Sequence, residues 1–85
     1  MEWEDVVEVR PELPLTLSVK FADGLSGKVR FEPSHLYGVF KRLKDPDLFK
    51  QAYVEHGAVT WPGELDLAPD AMYDEIKKNG EWVLR

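Results

Sequence analysis

The stretch from Val59 to Tyr73, Val-Thr-Trp-Pro-Gly-Glu-Leu-Asp-Leu-Ala-Pro-Asp-Ala-Met-Tyr, constrains this chain more than any other. Trp61 needs a core to cover it, because an indole gains much from burial while its N–H still needs a partner. Pro62 cannot donate a ladder hydrogen bond, so a strand through Ala58-Val59-Thr60-Trp61 must stop there, and Gly63 frees the backbone for a corner. Pro69 presets the dihedral of a first helical turn. The segment therefore reads as buried strand, corner and proline-started helix. It specifies a path rather than a chemistry.

With 85 residues, the chain forms one small domain over 1–85, with a tail at 80–85. A hydrophobic fraction of 44% with three tryptophans is enough for a compact core. The absence of cysteine removes disulfides, thiol nucleophiles and thiolate zinc sites. Met1-Glu2-Trp3-Glu4-Asp5 lacks the basic start and apolar run of a secretory signal, and no apolar stretch is long enough to span a bilayer. A cytoplasmic protein of bacterial style, with no membrane partner, is expected. The net charge of -5 opposes the phosphate attraction that dominates nucleic-acid affinity, so direct nucleic-acid binding is not expected. Lys41, Arg42 and Lys44 are followed at once by Asp45 and Asp47, the mark of a solvated face.

Leu15, Leu17, Val19 and Phe21 alternate with Thr16, Ser18 and Lys20, the period of a half-buried strand. Asp23-Gly24 turns the chain, and Lys28-Val29-Arg30-Phe31 alternates again, giving a hairpin. Val7 and Val9 flank Glu8 in a shorter strand that Pro11 and Pro14 should end or confine to an edge. Beyond Pro33 the period becomes helical. Ser34 can cap, Leu36, Val39, Phe40 and Leu43 form a stripe, and Gly38 breaks it. Asp45-Pro46 should cap a single turn that seats Leu48 and Phe49. A second hairpin crosses His56-Gly57, with Val54, Val59 and Trp61 inward. The last helix opens at Pro69, buries Met72, Tyr73 and Ile76, and stops at Asn79-Gly80. The tail Glu81-Trp82-Val83-Leu84-Arg85 either adds a strand or folds back. The fold class is α+β: one mixed or mainly antiparallel sheet of about five strands in two layers, with a short helix after three strands and a C-terminal helix.

Acid-base work needs a titratable group with a perturbed neighbour. His35, His56, Glu55, Asp66 and Asp70 are the candidates. His56 falls in a turn, and His35 beside Ser34 makes no triad because adjacent side chains diverge. Asp66, Asp70 and Asp74 are evenly spaced, yet a carboxylate before a helix most simply caps it, and two distant histidines have no metal-ligand spacing. The scattered glycines form no phosphate cradle. No catalytic residue, metal or cofactor is expected. What remains is recognition by an open sheet edge or an apolar patch, for which Trp3, Trp82, Val83 and Leu84 at the chain ends are the candidate residues.

Phe21-Ala22-Asp23-Gly24, Gly38-Val39-Phe40, Leu43 to Phe49, Val54 to Pro62 and Asp66 to Tyr73 together resemble a bacterial family, domain of unknown function 2442, over a family-like core of about 6–76. Trp61-Pro62 and the Asp66, Pro69, Asp70, Tyr73 pattern carry the most specific part of the likeness, and the resemblance implies a structural role for them. It also implies an α+β domain like one that precedes a helix-turn-helix in some bacterial proteins. Family members that stand alone beside another small protein look like halves of a toxin-antitoxin or similar module. The expectation is thus a non-enzymatic protein-interaction module, the acidic antitoxin-like half of a pair with a small basic partner, or a self-associating one. The alternative from another class is a dimeric nucleic-acid-associated regulator.

Overall fold

The computed structural model describes residues 4–12, 14–63 and 65–85, with the Val39 side chain outside that set. Strands β1 (Val6–Glu12), β2 (Thr16–Phe21) and β3 (Ser26–Phe31) form an antiparallel meander, with Val9 opposite Val19 and Leu17 opposite Val29. The period-two reading holds in β2 and β3: Leu17, Val19, Phe21, Val29 and Phe31 are buried, while Lys20, Lys28 and Arg30 are exposed. In β1 it does not. The register shifts between Val6 and Glu8, so Val6 and Val9 turn inward and Val7 is left 41% exposed. One extra residue in a strand resets its parity, which corrects the pairing of Val7 with Val9. Pro11 sits within β1 at the sheet edge, where a missing donor costs nothing.

Residues 33–49 are tighter than an α-helix. Ser34 caps nothing; it lies inside a 3-10 turn, Pro33–His35, that has no side-chain cap. A second 3-10 segment, Gly38–Lys44, starts at Gly38 with φ of +58°. That left-handed residue breaks the helical stripe, so Leu36 and Leu43 reach the core from two separate segments. Helix α1 (Pro46–Phe49) follows as expected, with the Asp45 carboxylate accepting the Asp47 amide at 3.0 Å and Phe49 fully buried.

Strands β4 (Tyr53–Glu55), β5 (Ala58–Trp61) and β6 (Leu65–Asp66) make a second antiparallel sheet. His56 (φ 52°) and Gly57 (φ 76°) both take left-handed dihedrals in the β4–β5 turn. Helix α2 (Pro69–Asn79) has Ala68 at its N-cap and no side-chain cap. Asp66 is therefore not a cap: it lies in β6 opposite Thr60, and Asp70 accepts the Ala71 amide instead. Gly80 (φ 78°) closes α2, its amide bonded to the Ile76 carbonyl at 2.7 Å. The chain then enters β7 (Glu81–Leu84), which runs parallel to β3.

The class is α+β with two helices, but the single sheet of about five strands is replaced by two, ordered β1-β2-β3-β7 and β4-β5-β6. Alternation within a strand sets which face is buried, not which strand lies beside it. The core is common to both sheets. Phe31, Phe49 and Trp61 meet with ring centroids 5.7 to 6.1 Å apart, and the Trp61 indole N–H donates to the Phe49 carbonyl at 3.0 Å.

Candidate functional site

Strand β7 is where the architecture leaves a sheet edge uncovered among the described residues. Among the described residues it pairs on one side only, with β3, so its other edge is the end of the larger sheet. The Leu84 carbonyl accepts the Glu32 amide at 2.8 Å, which turns the main-chain groups of Leu84 toward β3. Alternation then directs those of Trp82 the same way and those of Glu81 and Val83 outward. Outward N–H and C=O groups are a template for another strand.

Local sequence explains how β7 is held. Gly80 reverses the chain directly out of α2, so the helix lies along the strand that follows it. Gly27 of β3 lets α2 approach: a Cβ there would meet Ile76 at 2.6 Å and the Gly80 carbonyl at 2.7 Å. Between the helix and the strand edge lies a cavity of about 420 Å3, bordered by Glu75 and Asn79 of α2 and by Glu81, Trp82, Val83 and Arg85. Asn79 donates to Glu75 at 2.9 Å, and Arg30 reaches Glu81 at 3.5 Å, so the rim is polar and prearranged.

The residues expected at the periphery divide. Trp82 packs partly on the core and Val83 is half-buried on the opposite face, both lining the cavity. Leu84 is only 8% exposed and belongs to the core, because it sits beside Phe31 on the inner face. Trp3 lies outside the described residues. Of the signature residues, Trp61 and Tyr73 are buried, the Pro62 carbonyl accepts Arg42 at 3.1 Å, Pro69 starts α2, and Asp66 and Asp70 are exposed. Tyr73 donates its hydroxyl to Asp23 at 2.5 Å, tying α2 to the β2–β3 turn. That bond, reinforced by burial and by the Asp23 charge, pushes the phenol up to about 12. The same hydroxyl, with the Leu25 amide, holds the Asp23 carboxyl below its ordinary value.

The candidates for acid-base chemistry are not brought together. His56 is exposed in its turn. His35 is half-buried among Phe31, Tyr37 and Phe40, with Nδ1 3.2 Å from the Arg85 carbonyl oxygen. No group of three or more histidine, aspartate or glutamate side chains able to hold a metal occurs among the described residues. A second cavity of about 350 Å3 opens between Leu15, Pro33, Leu36 and Phe49, with Lys44 at its edge. Its lining is almost wholly apolar side chain, so it offers cover to a partner without a way to orient one. The open face of the larger sheet carries Arg10, Lys20, Lys28 and Arg30 interleaved with Glu8, Glu12 and Glu81, and Lys28 bonds Glu12. Of the residues bordering the cavity beside β7, Trp82 and Val83 stand out in the sequence as apolar side chains in the tail, whereas Glu75 and Asn79 carry no signal beyond their spacing of four along the preceding helix.

A family description, "Protein of unknown function (DUF2442)", matches residues 6–78. No curated protein and no solved structure matches the chain. Among the described residues, no helix is long and apolar enough to cross a membrane.

Proposed function

The chain belongs to the DUF2442 family, and from that premise we propose that it is a non-enzymatic protein-interaction module that docks a partner along the free edge of β7. One observation carries this reading: an unpaired strand edge is bordered by a cavity of about 420 Å3 with polar rims. Strand addition draws affinity from main-chain hydrogen bonds and selectivity from side-chain pockets flanking the edge. Here the pocket is walled by α2 on one side and the indole of Trp82 on the other.

The partner is a small basic protein, with this chain as the acidic, antitoxin-like half of a two-protein system. Glu75 of α2 and Glu81 border the cavity beside the docking edge, and with the exposed Asp70 and Asp74 of the same helix and a net charge of -5 they favour a cationic surface. Such a complex forms by occlusion, without chemistry.

Co-purification with a tagged chain from its own cells, followed by native mass measurement, tests the reading. The expected result is a defined protein partner that is lost with Val83→Pro, which removes an outward amide while leaving the β3 pairing intact. A partner retained undiminished by that variant overturns docking at β7. Salt-sensitive retention on heparin would instead favour the nucleic-acid alternative.

A further inference from the structure

We propose that the apolar cavity between the β1–β2 turn and α1 holds a free straight-chain monocarboxylate of about eight carbons, its chain inward and its carboxylate on the Lys44 ammonium. The cavity shares no lining residue with the groove beside β7, so its occupancy is independent of what docks there.

Segments far apart in the chain build the walls. Leu36, Leu43 and Phe49, all buried, form the floor, and Pro14, Pro33 and Pro46 stand exposed around it. Proline has a fixed φ and no N–H, so these wall positions are stiff and bring no donor. Their carbonyls are also taken, by the Thr16 hydroxyl, the Leu36 amide and the Lys50 amide at 3.0 to 3.1 Å, and that of Leu15 accepts the Phe31 amide at 2.9 Å. Walls of this kind select hydrocarbon. An apolar cavity of about 150 Å3 takes a benzene ring, and this one, of about 350 Å3, has room for a chain of about eight carbons.

Leu15 completes the wall at a cost. Its φ of 50° is a left-handed value that bulky side chains rarely adopt and that asparagine accepts more readily. Leucine at this turn position sets an apolar side chain against the core and beside the cavity.

The charge at the mouth decides the head group. Lys44 is exposed at the edge of the cavity, and among the described residues its ammonium has no hydrogen bond or ion pair. Its acidic neighbours are engaged elsewhere: Asp45 accepts the Asp47 amide at 3.0 Å, and Asp47 pairs with Lys50 at 3.6 Å. These walls cannot orient a folded partner, but an amphiphile needs only one fixed point. A single cation at the mouth of a hydrocarbon slot supplies it for a single carboxylate.

Titrating the full chain with hexanoate, octanoate and decanoate, followed by amide chemical shifts, tests this. Octanoate, with about ten non-hydrogen atoms, should saturate with a Kd below about 1 mM. Shifts should centre on Leu15, Leu36, Leu43 and Phe49, and octanoate should bind about tenfold tighter than hexanoate, as two further methylenes leave water. Lys44→Met keeps the stem and removes the charge. It should weaken octanoate about tenfold and leave octan-1-ol unaffected. Leu15→Asn suits the turn but makes the wall polar, so it should weaken both ligands while circular dichroism shows the fold retained. No saturation by about 5 mM octanoate, well above the expected Kd, overturns the proposal. So do shifts centred elsewhere, or a Lys44→Met chain that binds octanoate as wild type does. Saturable binding of an apolar peptide with a free C-terminal carboxylate, and of no alkanoate, would make the occupant a protein tail and overturn it as well.

Discussion

Trp61 shows how one side chain can hold two elements at once. Its ring is fully buried against Phe31 and Phe49, and its N–H satisfies a carbonyl at the end of α1. Trp61→Phe keeps most of the apolar volume but leaves the Phe49 carbonyl only the long bond from the Ala52 amide at 3.4 Å, which should cost about 1 kcal/mol in urea denaturation. Tyr73 and Asp23 make a second tie, and its pH dependence has a definite sign. A phenol raised from 10.0 to about 12 stabilises the fold fully below pH 10 and loses that contribution as pH rises through about 12. Asp23, held below 3.8, contributes above that value and loses its share as pH falls through its folded pKa. Thermal melts of Tyr73→Phe should therefore be flatter than wild type in both the acid and the alkaline limb. Equal pH profiles for the two chains would show that the bond contributes nothing. The burial of both aromatic residues was legible from the sequence; their partners were not, because Asp23 and Tyr73 are far apart along the chain and meet only through the fold.

Elements here are fixed by a few backbone positions. The β4–β5 turn asks His56 for a left-handed dihedral that asparagine adopts more readily. His56→Asn should raise stability by about 0.5–1 kcal/mol, read from the urea midpoint. Gly27 sets the distance between β3 and α2, and one of the atoms facing its missing Cβ is a backbone carbonyl that cannot swing aside. Gly27→Ala should thus destabilise by about 1–3 kcal/mol and displace α2 from the groove beside β7. An unchanged melting temperature would refute that close approach. The period of β2 and β3, the Asp45-Pro46 cap and the Gly80 stop could all be read from local chemistry. The 3-10 character of 33–44 could not, since Gly38 takes a positive φ that sequence permits but does not require. The bulge in β1 was equally hidden: Val6, Val7 and Val9 suit either parity until Val6 donates its amide to Gly57 across the two sheets.

On the scale of the whole molecule, the net charge of -5 coexists with a sheet face on which four cations alternate with three carboxylates. Among the described residues that face has no aromatic side chain on which a base could stack, and its cations are offset by neighbours. Retention on heparin should therefore be weak and complete elution should occur at low salt. Strong retention would contradict this distribution. Taken alone, the sequence determined the class, the core aromatics, most turns and the helix ends, because each depends on residues adjacent in the chain or on one-dimensional periodicity. Only the tertiary structure decided that there are two sheets, that β7 lies parallel to β3, and that a groove runs between α2 and the strand it leads into. Those outcomes depend on which surfaces far apart in the chain bury the most together, a competition that no local pattern encodes.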